Sequence, residues 1–319
     1  MRRGSLEYRP HRMAQKPLPR MRHWAEIAEP SILSLVAFKA GMTHFGIMGA
    51  PESPAKGQEI IRAATVLAIP MTFVYGIRLY KKNYVYTQAS AHVYDKTAAQ
   101  RAGLKNAKGM SVGTAKKMLP ECDDVTALAI ADPAELKIGI KKKVRFEIHV
   151  GGKTAEEKFN FIEKLLGKDV SVGDVLKAGE FVDVLSITKG KGWQGVIKRF
   201  GVAKQPRKAT GKVRHVGTLG AWNPPKVMYT VPQAGHMGFN YRTELNKRVL
   251  KIGDAQQGQI SPSGGFLHFG PIRGQYVAVD GSVPGPAKRL VRLRKALRPS
   301  ETVKEPKITY LSVTSKQGA

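Results

Sequence analysis

Along most of the chain apolar residues alternate with polar ones, and recurrence at three and four positions is rarely sustained, so strands are expected to dominate. Residues 32–48 (ILSLVAFKAGMTHFGIM) predict two short strands around a turn at Gly41. Residues 51–58 form a loop by their Pro and Gly content, and 59–80 continue as strand-like segments broken by Pro70 and Gly76. From 81 to 150 the pattern weakens into short helices and strands. It sharpens where Val144, Phe146, Ile148 and Val150 alternate as a strand, after which Thr154 and Glu157 supply a capping box for a helix ended by Gly167. Strand character returns at 179–190, 247–253, 274–283 and 307–313, with glycines at the turns between them.

These strands stand before and after one long irregular segment. That arrangement suggests a single β-barrel carrying the segment as a loop, with the middle of the chain inserted into the barrel's sequence. The fold expected is mainly β with an α+β insert. It divides into a basic N-terminal arm at 1–31, first barrel strands at 32–80, the insert at 81–178 and the rest of the barrel at 179–315, with the extended basic loop at about 187–243.

The irregular segment changes the picture most. From Val184 to Thr243 there is not one Asp or Glu in sixty residues, against Lys189, Lys191, Lys198, Arg199, Lys204, Arg207, Lys208, Lys212, Arg214, Lys226 and Arg242. Nine glycines and four prolines interrupt it, so no amphipathic helix can present these charges. A disordered linker would carry fewer aromatic and apolar residues than Trp193, Phe200, Trp222, Met228, Tyr229, Phe239 and Tyr241. A solvated basic face would mix acids among its bases. The stretch reads as a segment ordered by something densely negative.

Composition points the same way. The 319 residues carry 53 Lys and Arg against 24 Asp and Glu, a net +29. Between Glu52 and Asp183 lie 16 of the acids and 21 of the bases, a net +5, which leaves +24 for the flanks. A phosphate backbone is the partner such a balance suggests, with a near-neutral middle facing water. The single Cys122 excludes an internal disulfide and a multi-thiolate metal site, and fits a reducing compartment. Its acidic neighbours Glu121, Asp123 and Asp124 disfavour the thiolate. No apolar run approaches roughly 18 residues, and the N-terminal charges have no apolar stretch behind them, so neither a membrane span nor a secretory signal is expected.

No catalytic, cofactor or metal site emerges. The eight histidines are scattered without zinc-ligand spacing, and no nucleophile elbow or dinucleotide fingerprint is present. Gly152-Lys153-Thr154 between a strand and a helix imitates the end of a P-loop. The glycine that pattern requires five positions earlier is Glu147, whose charge opposes phosphate. The basic stretch instead combines cations for phosphates, glycines for close backbone approach and aromatics for unpaired bases. Candidate RNA-contacting residues are its eleven bases with Trp193, His215, Trp222 and His236. To these are added Arg2, Arg3, Arg9 and Arg12 of the arm and Lys288, Arg289, Arg292 and Arg294 of the C-terminal run. Trp222, between Gly220 and two prolines, suits a loop tip.

The residues that carry these features also resemble a known family. The stretch TKGKGWQGVIKRFGVAKQPRKATGKVRHVGTLGAWNPPKVMYTVPQAGHMGFNYRTELNKRVLKIG, with RRGSLEYRP near the N-terminus, FKAGMTH from Phe38 and VDGSVPGP before the basic run, is similar to the universal large-subunit ribosomal protein L-three family in its archaeal form. The likeness is strongest over about 1–50 and 179–315. It implies a closed six-stranded Greek-key barrel, related to those of translation factors, with an arm and a long extension that penetrate 23S ribosomal RNA. It further implies early binding to the 3′ part of that RNA and contact with neighbouring large-subunit proteins. The loop Gly220-Ala221-Trp222-Asn223 would come nearest the peptidyl transferase centre. The bacterial pattern AGQMG, whose glutamine is methylated, reads Ala234-Gly235-His236-Met237-Gly238 here, so that modification does not carry over to His236. Two other classes compete: an RNA-modifying or RNA-processing enzyme with a basic channel, and a DNA-compacting protein.

Overall fold

The computed structural model describes residues 5, 8, 11–49, 54, 56–82, 87–104, 109–299 and 305–315. Its strands are β1 (Ser34–Met48), β2 (Glu59–Ile69), β3 (Thr72–Lys82), β4 (Thr87–Tyr94), β5 (Asp124–Ala131), β6 (Val144–His149), β7 (Asp169–Val170), β8 (Phe181–Ile187), β9 (Trp193–Gln194), β10 (Gly235–His236), β11 (Tyr241–Asp254), β12 (Gln275–Asp280), β13 (Leu290–Lys295) and β14 (Ile308–Leu311). Four α-helices join them: α1 (Lys96–Arg101), α2 (Val112–Met118), α3 (Ala155–Leu165) and α4 (Val196–Phe200). The chain divides into one unit made of 1–17 with 187–242 and another made of 18–186 with 243–319.

The larger unit is built on two sheets. The first runs β13-β8-β11-β12-β2-β1-β14, and β13 pairs in addition with β1. β1 is long enough to serve several neighbours: Ser34–Phe38 register against β13, Phe45–Ile47 against β14, and most of its length against β2. The turn expected at Gly41 is instead a bulge within this one strand, where the register with β2 shifts between Lys39 and Gly41. A side chain there would meet the Phe266 ring, which explains the glycine without any reversal of the chain.

The second sheet runs β4-β3-β5-β6, with β7 also on β3. The strands expected together at 32–80 are therefore shared between the sheets, β1 and β2 in the first and β3 in the second. Pro70, with no N–H to donate, lies at the changeover. Gly76 does not break β3. It marks a second register shift, where a Cβ would press on the Tyr94 ring and the Val93 carbonyl.

α3 forms as its sequence predicts. The Thr154 side chain accepts from the Glu157 N–H (3.2 Å), the Glu157 carboxylate accepts from the Lys153 N–H (3.1 Å), and Gly167 follows with φ +75°. Its buried face is Phe159 and Ile162, each worth roughly 1.5–3 kcal/mol of burial. One continuous core joins them to Ile77, Leu79, Phe146 and Ile148 of the second sheet and to Val36, Phe38, Leu67, Val277 and Leu293 of the first.

Candidate nucleic-acid interface

The unit of 1–17 with 187–242 begins as a ladder and then ceases to be one. Thr188 donates its N–H to the Asn240 carbonyl (3.0 Å), and Lys191 to that of Met237 (2.9 Å). Met237 donates in return to Gly192 (2.9 Å), leading into the paired β9 and β10. Gly238, at φ +76°, faces the Lys189 carbonyl so closely that no side chain fits. α4 is a single turn and a half, closed by Gly201 at φ +66°, whose N–H reaches the Ile197 carbonyl (2.8 Å).

Arg199 ties this short helix to the returning strand. Its guanidinium donates to the carbonyls of His236 (3.1 Å) and Gln233 (2.8 Å), and Gly235 leaves the space it occupies. The arm is held in the same unit by backbone contacts. Ala14 donates to the Phe239 carbonyl (2.7 Å), Asn240 Nδ2 to that of Arg12 (2.8 Å), and the Tyr241 hydroxyl to that of Lys16 (2.8 Å). Arg242 lies 3.9 Å from the Tyr8 ring centroid, and His11 stands edge-on to Phe200 at 5.7 Å. Asn240 and Tyr241 thus grip the arm's main chain. Neither residue type is diagnostic of that role in sequence.

Beyond Phe200 the backbone makes local turns, such as Gln205 N–H to the Val213 carbonyl (3.0 Å) and Val231 N–H to that of Met228 (3.1 Å). From Ile197 through Ala234 no residue is buried. Lys189, Lys191, Lys198, Lys204, Arg207, Lys208, Lys212, Arg214, Lys226, His215 and His236 are all exposed, as is Arg12; Arg199 and Arg242 are half-buried. No carboxylate exists in 187–242 to neutralise them. Gly220, Ala221, Trp222 and Asn223 are exposed, and Trp222 is 97 % so, which keeps its indole out of any core. Trp193 is two-thirds exposed and meets His236 edge-on at 5.3 Å.

The C-terminal run divides. Lys288 is exposed and Arg289 half-buried, but Arg292 and Arg294 on β13 are buried and do not form the surface expected of them. Arg294 donates through Nε (3.0 Å) and Nη2 (2.8 Å) to Asp183 and through Nη1 to the His23 carbonyl (2.6 Å). Arg292 donates to the Glu147 carbonyl and lies 5.4 Å from the Trp24 ring and 5.7 Å from the Phe146 ring. Burial lowers its pKa to about 10. Leu290, Val291 and Leu293 between them fix these arginines in the sheet; internal acceptors take up Arg294, whereas the buried Nε of Arg292 has no acceptor among the described residues. Arg2, Arg3 and Arg9 lie outside the described residues.

Cys122 is buried; burial first, then Glu121 and Asp123, push its thiol up. Among the described residues no cluster of His, Cys, Asp or Glu could hold a metal ion, and no helix is long and apolar enough to cross a membrane.

A β-rich chain with an acid-free, aromatic-bearing basic stretch at 187–242 has the charge pattern of proteins that meet polyanions. Residues 78–318 match the family described as Ribosomal protein L3. The chain is 43 % identical to the Large ribosomal subunit protein uL3 of Methanocaldococcus jannaschii, the alignment covering 99 % of this chain and 97 % of that one. It is 41 % identical to the protein of the same name from Methanobrevibacter smithii and 40 % identical to that from Methanothermobacter thermautotrophicus, each over 99 % of this chain and 98 % of the relative. The chain belongs to the ribosomal protein L3 family, a family of structural proteins and not of enzymes. That membership sets aside the RNA-modifying enzyme.

Proposed function

We propose that this chain is a structural constituent of the large ribosomal subunit, located in the cytoplasm within the ribosome. It binds 23S ribosomal RNA, mainly the 3′ part, early in assembly, and directs its extension toward the peptidyl transferase centre without performing chemistry. Neighbouring large-subunit proteins are its other partners; no membrane, cofactor or small-molecule substrate is involved. The observation that carries this is the run 197–234, which has no buried residue, no acid and a nearly fully exposed Trp222. A segment that neither packs on itself nor neutralises itself gains its order from phosphates and bases outside it.

In this reading the exposed bases of 187–243, Arg12 with Arg2, Arg3 and Arg9, and Lys288 neutralise phosphates. Gly220-Ala221-Trp222-Asn223 forms the tip, where the indole stacks or wedges near the catalytic RNA. The second pairing of β13, with β1, brings the order β13-β8-β11-β12-β2-β1 back onto its own start and supports a closed six-stranded barrel as the platform.

Binding of the purified chain to a 3′ fragment of 23S RNA tests the reading. With roughly ten phosphate contacts, affinity falls on the order of 10³- to 10⁵-fold between about 50 and 200 mM salt. Trp222→Ala leaves that affinity nearly intact and alters peptidyl-transfer efficiency in assembled subunits. A large affinity loss with normal peptide-bond formation refutes the role given to Trp222, and preference for duplex DNA over the RNA refutes the ribosomal assignment.

A further inference from the structure

Adjacent bases on α4 have opposite surroundings. Lys198 stands in solvent, whereas Arg199 is half-buried and turns back across the root of the extension. It donates through Nε to the His236 carbonyl (3.1 Å) and through Nη1 to that of Gln233 (2.8 Å), and its guanidinium lies 5.1 Å from the Phe200 ring centroid. The chain leaves the ladder through α4 and returns through 233–236, so Arg199 joins the two limbs where they part. The paired β9 and β10 are slight by themselves: Trp193 faces His236 and Gln194 faces Gly235, and a two-stranded ribbon of that length is marginal in water.

The returning strand is shaped to receive this side chain. Gly235 lies between the two acceptors, and a Cβ there would stand 2.7 Å from Nη1 and 2.9 Å from Cζ. Its φ is not positive, so the missing side chain makes room for the guanidinium and serves no left-handed turn. Reaching the carbonyls of 233 and 236 together takes the rigid fork of an arginine; the single ammonium of a lysine cannot hold both in the same way. The N–H groups that would grip a phosphate are thus spent on the protein's own backbone.

Resting on the ribosomal reading above, we infer that Arg199 is a positioning residue of the extension and not one of its phosphate contacts. It clamps the departing helix to the returning strand and fixes the direction in which 201–232 leave the root, so that the RNA meets a preset base and orders only the segment beyond it. Three variants of the full chain, bound to a 3′ fragment of 23S RNA, test this. Arg199→Lys keeps the charge and loses the fork, Gly235→Ala keeps the charge and displaces the fork, and Arg199→Gln loses both. Each weakens binding at fixed salt by about tenfold, as when the clamped root is populated roughly one part in ten, and each keeps the wild-type slope of log affinity against log salt. Loss of a phosphate contact would instead lower that slope by about 0.7–0.9. Wild-type affinity in Arg199→Lys or in Gly235→Ala overturns the inference, as does a slope lowered by that amount in Arg199→Gln. A smaller fraction of binding-competent chain at wild-type affinity also overturns it, because that marks a residue needed only for folding. If the wild-type chain does not bind the fragment, the ribosomal reading itself fails.

Discussion

Replacing Arg294 with Met isolates the buried ion pair that joins β8, β11 and β13. The side chains of Arg294 and Asp183 are 6 % and 1 % exposed. Besides Arg294, the Asp183 carboxylate accepts from the backbone N–H of Asn246 (3.0 Å) and of Leu297 (3.4 Å). Two backbone donors do not offset a full buried charge. Breaking such a pair from one side costs about 3–5 kcal/mol, a large part of the roughly 5–15 kcal/mol that holds a domain folded. With a urea slope near 2 kcal/mol per molar, the unfolding midpoint of the full chain, followed by far-ultraviolet circular dichroism, falls by roughly 2 M. Asp183→Leu/Arg294→Met removes both charges and recovers most of that loss.

Arg292→Met is the internal control. Arg292 is as buried as Arg294, but among the described residues no carboxylate pairs with it, and burial holds its pKa down at about 10. A base whose folded pKa is depressed carries its desolvation penalty at every pH below that value. Methionine relieves the penalty while forfeiting contacts with Trp24 and Phe146 worth about 1–2 kcal/mol, so the midpoint moves by less than about 0.5 M. If Arg292→Met is the more damaging change, or the double variant is no better than Arg294→Met, the account of this core is wrong.

In the free chain, trypsin cuts first between Lys204 and Lys226, where no residue is buried, and 23S RNA suppresses those cuts. Resistance there without RNA would show that the extension orders itself. Asp124 provides a pH test. Burial pushes its pKa up, but hydrogen bonds from His149 and Lys158 outweigh burial and set it at about 2, below the usual 3.8. Its contribution, on the order of 2 kcal/mol, is present above pH 3.8 and is lost as pH falls toward 2. Urea midpoints of wild type and Asp124→Asn therefore converge across that window, and a constant gap would contradict the assignment.

Much of the architecture was legible because period-two alternation and cap chemistry are local. The strand through Phe146 and Ile148, the Thr154 cap and the acid-free stretch all follow from neighbours in the chain. At Gly41 the local pattern cannot separate a bulge from a turn, because both ask for the same residue; Phe266, 225 positions away in sequence, decides between them. The arginines make the deeper distinction. Both the C-terminal run and the 187–243 stretch are basic and locally free of acids, yet Arg292 and Arg294 turn inward while Lys204–Lys226 stay in solvent. The difference is the apolar residues between the charges. Leu290, Val291 and Leu293 place β13 in a sheet, and once a strand is fixed, an acceptor 111 residues away can be brought to it repeatedly and accurately. Residues 201–230 have no such period, so no internal acceptor can be held against their cations. Arg199 supports this from the other side: it sits beside the short ladder of β9 and β10, and it is consumed by two backbone carbonyls. Basic residues therefore mark an external polyanion only where the apolar pattern that would fold them inward is missing.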